Sequence, residues 1–266
     1  MHRQSLVLRG RRVNYLEHGE GPPVVMLHGL LGSPAYLLPL ARAVAGTGRR
    51  VLLPDLHGHG GSDRLESWSL DAAADDLAAA MALAGAEQPA LLGHSLGAPI
   101  CVHWAARHPV EALVCMSPVG MVPLRLGPAR HLVPAAAAVA RVAEAAARPL
   151  AATPAGRRLV FGWFVGMRRP DAVAPPLGER MIRHAVAAAP ALEDYLPKLH
   201  GLDLREPSAL VACRSLTLWG EDDAHAPNGA LLAAALRGEA RVLPQCGHMP
   251  TLEAPFACRR ALDGWL

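Results

Sequence analysis

The sequence predicts an α/β fold: a mostly parallel, twisted sheet with helices on both faces and a helical insertion late in the sheet. Three observations carry this. Short apolar runs alternate with helical patterns of roughly ten to fifteen residues, the rhythm of parallel strands joined by right-handed crossovers. The runs are apolar at successive positions instead of alternating, as a sheet covered on both faces requires. The rhythm then stops over residues 121–197, which are helical in composition and dense in Ala, Arg and Pro, before strand-like runs resume.

Residues 5–8 and 12–17 read as two short strands around the turn Arg9-Gly10-Arg11. Val24-Val25-Met26-Leu27 is wholly apolar and enters His28-Gly29. Residues 35–44 have helical spacing, with Leu37, Leu38, Ala41 and Val44 on one side. Val51-Leu52-Leu53 ends at Pro54-Asp55, and residues 70–83 form a helix closed by Gly85. Ala90-Leu91-Leu92 runs into Gly93, a helix covers 99–107, and 112–116 is the next strand. After the insertion, 210–213 lead into the strand Leu216-Thr217-Leu218-Trp219. A helix over 230–236, a last strand over 240–243 and a closing helix over 256–265, behind Pro255, complete the chain. The expected division is 1–120 and 198–266 for the two parts of the core, with a helical cap over 121–197.

Composition narrows the function classes. A chain of 266 residues that is 52% hydrophobic and 18% charged buries a large core, which excludes a disordered or solvating role. The formal charge of +3 comes from dispersed Arg with a single Lys, Lys198. No basic stripe with interleaved aromatics appears, so a nucleic-acid partner is not expected. The five Cys are scattered with no CxxC pair, which fits reduced thiols better than a disulfide framework. No apolar run precedes Arg9, Arg11 and Arg12, and the Ala-rich stretch 134–147 is broken by Arg141 and Glu144. The expectation is a cytoplasmic protein with no signal peptide and no stable membrane anchor.

The sharpest chemical signal is Gly93-His94-Ser95-Leu96-Gly97, between an apolar run and a helical pattern. A nucleophile on a sharp strand-to-helix turn has its Oγ lifted above the sheet, and backbone passing close by demands Gly two residues to either side. The following helix aims its positive dipole end at the same point. A Ser hydroxyl needs a base. Of thirteen His, His248 stands in Gly247-His248-Met249-Pro250-Thr251-Leu252-Glu253-Ala254-Pro255, after the last strand and on the edge where strand ends gather. His18, His103, His108, His131, His184 and His200 lie in helical or surface contexts, and His225 is too near the candidate acids in sequence. His57 and His59 form an HxH pair without a second ligand cluster, so no metal is expected. Trp219-Gly220-Glu221-Asp222-Asp223 supplies carboxylates after a strand, giving the chain order Ser, Asp, His. Glu221 and Asp222 read as a solvated turn; Asp223 is favoured as the acid that orients the base.

On these residues the chain resembles the cap-bearing α/β-hydrolase family along nearly its whole length. His28-Gly29-Leu30-Leu31-Gly32 is similar to the family's HGxxG oxyanion loop, and Asp55-Leu56-His57-Gly58-His59-Gly60-Gly61-Ser62 to its DxxGxGxS loop. Trp219 to Pro227 matches WGxxDxxxP, and Gly247 to Pro255 matches GHxPxxExP. The resemblance implies Asp223 as the acid; the place after the preceding strand, where some members carry theirs, reads Ser117-Pro118. It also implies an oxyanion hole from the backbone N–H of Leu30 and Leu96, each donor worth about 3 kcal/mol of barrier. His28 is expected to brace its loop, and His94 to form a pocket wall or a hydrogen-bonded core residue.

Ser at the elbow disfavours the epoxide opening and halide displacement that resembling proteins perform with Asp. Attack on a carbonyl remains: a small or medium apolar ester, thioester or lactone, with Ser95, His248 and Asp223 as catalytic residues and no cofactor. The C–C bond hydrolases of this kind place Asn before Ser and Trp after His, where this chain has His94 and Met249. Acyl transfer is a further alternative, and a ligand receptor or non-catalytic scaffold an alternative of another class. In the cap, Phe161, Trp163 and Phe164 read first as the cap's own core and, functionally, as an apolar wall of the substrate pocket facing Ser95; Arg168-Arg169 read as a solvated helix end or, functionally, as a hold on an anionic substrate group. The cap is expected to select substrate and to supply no catalytic group.

Overall fold

The two-sided apolar runs assemble into one eight-stranded sheet in the computed structural model, which describes residues 2–122, 136–199 and 201–266. The strands are β1 (His2–Leu8), β2 (Arg11–His18), β3 (Pro23–Leu27), β4 (Arg50–Pro54), β5 (Ala90–His94), β6 (Ala112–Met116), β7 (Arg214–Gly220) and β8 (Glu239–Leu243). Their spatial order is β1-β2-β4-β3-β5-β6-β7-β8. β1 and β2 form an antiparallel hairpin whose turn residues Arg9 and Gly10 are both left-handed, which matches the twist of the flanking strands. β2 also runs antiparallel to β4, and every other pairing is parallel.

Between strands lie α1 (Leu38–Ala45), α2 (Leu70–Leu83) and α3 (Gly97–Arg107). The stretch joining β6 to β7 holds α4 (Ala136–Ala152), α5 (Pro154–Arg157), α6 (Pro175–Ala188), α7 (Leu192–Leu199) and α8 (Arg205–Leu210). The chain ends with α9 (Ala226–Leu236), α10 (Pro250–Glu253) and α11 (Pro255–Ala261).

Each central strand feeds two cores. Val25, Leu27, Leu52, Leu91, Leu113 and Cys115 pack with α2, α3 and α9 on one face. Their neighbours Val24, Met26, Val51, Leu53, Leu92 and Val114 pack with α1 and α11 on the other. This is why the runs show no polar alternation. The chain crosses from β3 through α1 to β4 on one side, then returns through α2 to β5 on the other. The loops after β3 and β5 therefore diverge at the carboxyl edge, the crevice where open α/β sheets take ligands.

Some boundaries differ from expectation. The helix predicted over 35–44 is split: Pro34–Tyr36 is a 3₁₀ turn in which the Ser33 hydroxyl accepts from Ala35 N–H, and α1 starts at Leu38. Leu210 closes α8 instead of leading into the strand. The closing helix stops at Ala261, and Gly264 beyond it is left-handed. His131 and His200 lie outside the described residues. No helix among the described residues is long and apolar enough to cross a membrane. The five cysteines are free, four of them buried.

The insertion is tied to the core at α7. Tyr195 packs on Trp68 with ring centroids 4.1 Å apart and donates its hydroxyl to the His57 carbonyl at 2.8 Å. Arg64 grips Asp194 through two bonds of 2.7 Å.

Candidate active site

Ser95 sits between the end of β5 and the start of α3 with φ of +53°, a left-handed conformation that costs a non-glycine residue about 1–3 kcal/mol. Its own backbone holds it there: Ser95 N–H donates to the Met116 carbonyl at 2.9 Å, and Ala98 N–H donates to Ser95 O at 3.1 Å. The flanking glycines are steric necessities. A Cβ on Gly93 would lie 2.3 Å from the Gly97 carbonyl oxygen, and one on Gly97 would lie 2.6 Å from that of Leu27.

Three loops of the carboxyl edge bring the expected residues together. His248 Nε2 is 3.1 Å from Ser95 Oγ. His248 Nδ1 lies 3.0 Å from both carboxylate oxygens of Asp223. Burial alone would raise the Asp223 carboxyl, but the His248 hydrogen bond and charge, with the His225 N–H at 2.9 Å, outweigh it and hold the group at about 2. The neighbouring acids point elsewhere. Asp222 pairs with Arg168 at 2.6 Å, and Glu221 accepts from Gln245 N–H at 3.3 Å on the surface.

In the 28–32 loop most N–H groups are committed. Gly29 N–H donates to Tyr36 Oη at 2.6 Å, Leu31 N–H to His59 Nε2 at 3.0 Å, and Gly32 N–H to Gly29 O at 3.0 Å. Those of Leu30 and, at the start of α3, Leu96 have no acceptor among the described residues. Two uncommitted donors beside a serine hydroxyl are what an oxyanion requires.

Three buried imidazoles hold this loop. Leu56 N–H donates to His28 Nε2 at 3.1 Å, so His28 carries its proton on Nδ1 and gives it to Gly29 O at 2.9 Å. His59 likewise accepts from Leu31 and donates Nδ1–H to the His57 carbonyl at 3.0 Å. Burial, first among the causes, pushes His28 well below the usual imidazole range and His59 down to about 4, so both stay neutral. The HxH pair is thus divided between the loop and an Asp76 contact at 2.9 Å from His57. Among the described residues no group of three or more His, Cys, Asp or Glu could hold a metal ion.

His94 takes the second of its two expected places, a hydrogen-bonded core residue, and not that of a pocket wall. It is 2% exposed with both ring nitrogens occupied. The His248 carbonyl at 2.8 Å can only accept, so Nε2 carries the proton, and Nδ1 accepts from the Tyr36 hydroxyl at 2.9 Å. A chain therefore runs from Gly29 N–H through Tyr36 and His94 to the backbone of His248. Burial, foremost, drives His94 down to about 3, which keeps the bridge neutral.

Of the aromatic cluster in the insertion, Phe161 takes the expected place in the insertion's own core. Phe161 is buried against Ala151 and Gly178 inside the insertion. Trp163 and Phe164 lie with ring centroids 5.1 Å apart, tilted by 56°, and stand 77% and 70% exposed. Residues Arg158–Phe164 form a π-helical turn, whose wider spacing turns Phe164 away from the Phe161 side.

Tyr36 and Glu253 were missed as functional positions. Tyr36 carries no sequence signal, whereas Glu253 was visible only as a letter of the GHxPxxExP pattern. Its carboxylate, 2% exposed, accepts from Gly247 N–H at 3.2 Å, Met249 N–H at 3.0 Å and Arg169 N–H at 2.9 Å. It thereby fixes both shoulders of His248 and fastens the insertion to them. His248 N–H donates in turn to the Gly166 carbonyl at 3.1 Å.

Comparison with known proteins agrees with this fold. A family model described as the α/β hydrolase fold matches residues 22–255. A pimeloyl-[acyl-carrier protein] methyl ester esterase of Chromobacterium violaceum is 46% identical over 105 residues, 38% of this chain and 39% of that protein. An sn-1-specific diacylglycerol lipase, ABHD11 of Mus musculus, is 40% identical over 107 residues, 38% of this chain and 35% of that protein. The aligned stretch thus spans less than two fifths of either relative. Among solved structures, the enol-lactonase from Burkholderia xenovorans superposes with a TM-score of 0.74 at 20% identity, over 98% of this chain and 99% of that one. At that identity the likeness is one of fold.

Proposed function

The chain belongs to the α/β-hydrolase fold family, and from that premise we propose that it is a serine hydrolase of carboxylic esters. One observation carries the reading: Ser95 Oγ lies 3.1 Å from His248 Nε2, beside the uncommitted N–H groups of Leu30 and Leu96. Ser95 Oγ attacks the ester carbonyl while His248 Nε2 takes its proton. Asp223 accepts Nδ1–H of His248, fixing the tautomer and stabilising the imidazolium. The carbonyl oxygen becomes an oxyanion between Leu30 and Leu96 N–H, with the N-terminus of α3 behind it. Collapse of the intermediate expels the alcohol, which takes the proton from Nε2 and leaves an acyl-Ser95. Water activated by the same imidazole hydrolyses that ester in a mirror-image second half.

Both relatives above are named for ester hydrolysis, which supports this class of substrate. Ser in place of Asp at the elbow speaks against epoxide opening. The proposed reaction needs no cofactor, because every proton it moves has a side chain to receive it. The insertion supplies no catalytic group; its part is to cover the sheet edge and exclude water.

The test is covalent labelling. A fluorophosphonate should add its mass to a single peptide, the one holding Ser95, in parallel with loss of p-nitrophenyl ester hydrolysis. Label on another residue, or none on folded protein, would refute the assignment.

A further inference from the structure

The segment Arg157-Arg158-Leu159-Val160-Phe161-Gly162-Trp163-Phe164-Val165-Gly166-Met167-Arg168-Arg169 combines clustered arginines with an exposed Trp–Phe pair. These thirteen residues hold four Arg and no carboxylate, whereas the whole chain balances 26 basic against 23 acidic residues. Its apolar residues are divided between two directions. Phe161 and Met167 are buried and pin the segment to the insertion's own core. Leu159, Trp163 and Phe164 are exposed, so the fold does not use them. An exposed Trp–Phe pair is an apolar patch of the kind that marks a place of interaction.

The surroundings say what kind. Arg158, Arg168 and Arg169 line, with Gly162, Trp163 and Met167, an open groove of about 820 Å³. Arg158 has no carboxylate partner among the described residues and is the guanidinium left for a ligand, whereas Arg157 pairs with Asp171 at 3.2 Å, Arg168 with Asp222 at 2.6 Å, and Arg169 donates to the Glu253 carbonyl at 3.2 Å. Trp with flanking Arg is the composition that settles at the boundary between headgroups and acyl chains: the indole enters the interface and the guanidinium groups meet anionic phosphates. A protein partner of the same charge complement would need an acidic rim around an apolar pocket; a bilayer presents both at once, over a continuous area.

We infer that the face formed by Leu159, Trp163, Phe164 and the flanking arginines docks reversibly on an anionic lipid surface. The segment is bonded to the catalytic edge through Gly166 O with His248 N–H and Arg169 N–H with Glu253. Docking there brings the membrane beside the loop that carries His248. On the ester-hydrolase reading, this favours substrates that partition into a bilayer.

The experiment is co-sedimentation of the full chain with large vesicles at about 0.1 M salt, where charges up to roughly 10 Å apart still interact. Vesicles of phosphatidylcholine and phosphatidylglycerol in equal parts are compared with pure phosphatidylcholine. Binding should be at least about tenfold stronger to the anionic vesicles, and Arg158→Glu should weaken it about fivefold or more. Trp163→Ser combined with Phe164→Ser should abolish it while circular dichroism and Tm stay unchanged, showing that the variant is folded. No binding by the unaltered protein, or equal binding by the double variant, overturns the inference. So does a dimer, seen by ultracentrifugation without vesicles, that the double variant dissolves. Sedimentation needs no turnover, so its failure leaves ester hydrolysis standing, and a failure of ester hydrolysis leaves the docking result standing.

Discussion

Exchanging Asp223 for Asn, against the same exchange at Asp222, separates two carboxylates adjacent in sequence and opposite in environment. Asp223 has a fully buried side chain and accepts from His248 Nδ1 at 3.0 Å through each oxygen and from His225 N–H at 2.9 Å. Asn keeps the shape but replaces one acceptor oxygen with a donor. The amide then faces either Nδ1–H or the His225 N–H, and relief comes by moving the imidazole proton to Nε2, where it can no longer accept from Ser95. In serine proteases the equivalent change lowers turnover by about 10⁴, or about 5.4 kcal/mol of barrier. Asp222 by contrast pairs with Arg168 at 2.6 Å with both side chains partly in water, and exposed pairs are worth about 0–1 kcal/mol. Asp222→Asn should therefore change turnover by less than about fivefold. The assay is kcat/KM on p-nitrophenyl acetate, normalised to folded protein by circular dichroism, with Ser95 titrated by fluorophosphonate to count active sites. Equal losses in the two variants, or a larger loss at Asp222, would refute the assignment and with it the reading of the 3.0 Å contacts.

Two further outcomes follow from the buried network. Tyr36→Phe removes the acceptor of Gly29 N–H and the donor to His94 Nδ1, leaving two buried polar groups unpaired at about 1–3 kcal/mol each. At about 2–4 °C per kcal/mol for a chain of this size, Tm should fall by at least about 4 °C, with a loss of turnover as the Leu30 donor loses its support; an unchanged Tm removes the bridge from the account. Asp223 also links stability to pH. Its folded value of about 2 lies below its ordinary 3.8, so its contribution is complete above about pH 4 and disappears as pH falls toward 2. The shift corresponds to about 2 kcal/mol at most. In urea unfolding, the advantage of the unaltered protein over Asp223→Asn should shrink between pH 5 and pH 2.5, and a constant difference would contradict the depressed value.

What the sequence determined was whatever a short stretch of chain decides by itself. Apolar runs such as Val24 to Leu27 read as strands covered on both faces because they are short and bounded by turn residues; successive burial alone does not decide it, since Gly97 to Val102 are all buried in α3. Gly93 is legible because its Cβ would meet the Gly97 carbonyl of the same turn, whereas Gly97 is required by the Leu27 carbonyl of the neighbouring strand β3. The order of motifs then placed Ser95, Asp223 and His248 at strand ends that share an edge, and the structure brings those three within hydrogen-bonding distance.

Only the tertiary structure decided which of several similar groups face one another. Asp222 and Asp223 are indistinguishable by composition; the path of the loop after β7 turns one to Arg168 and the other to His248. Tyr36, His94 and Glu253 act across separations of 58, 154 and 84 residues, to His94, the His248 carbonyl and Arg169 N–H respectively, and no local pattern reports such pairings. Trp163 and Phe164 show the same limit from the other side. An α-helical period would set Phe161 and Phe164 on a common face, but the wider π-helical turn rotates Phe164 to solvent while Phe161 stays inside. Hydrophobicity fixes that a residue has somewhere apolar to go; the direction it faces is settled by the backbone geometry and by what packs against it.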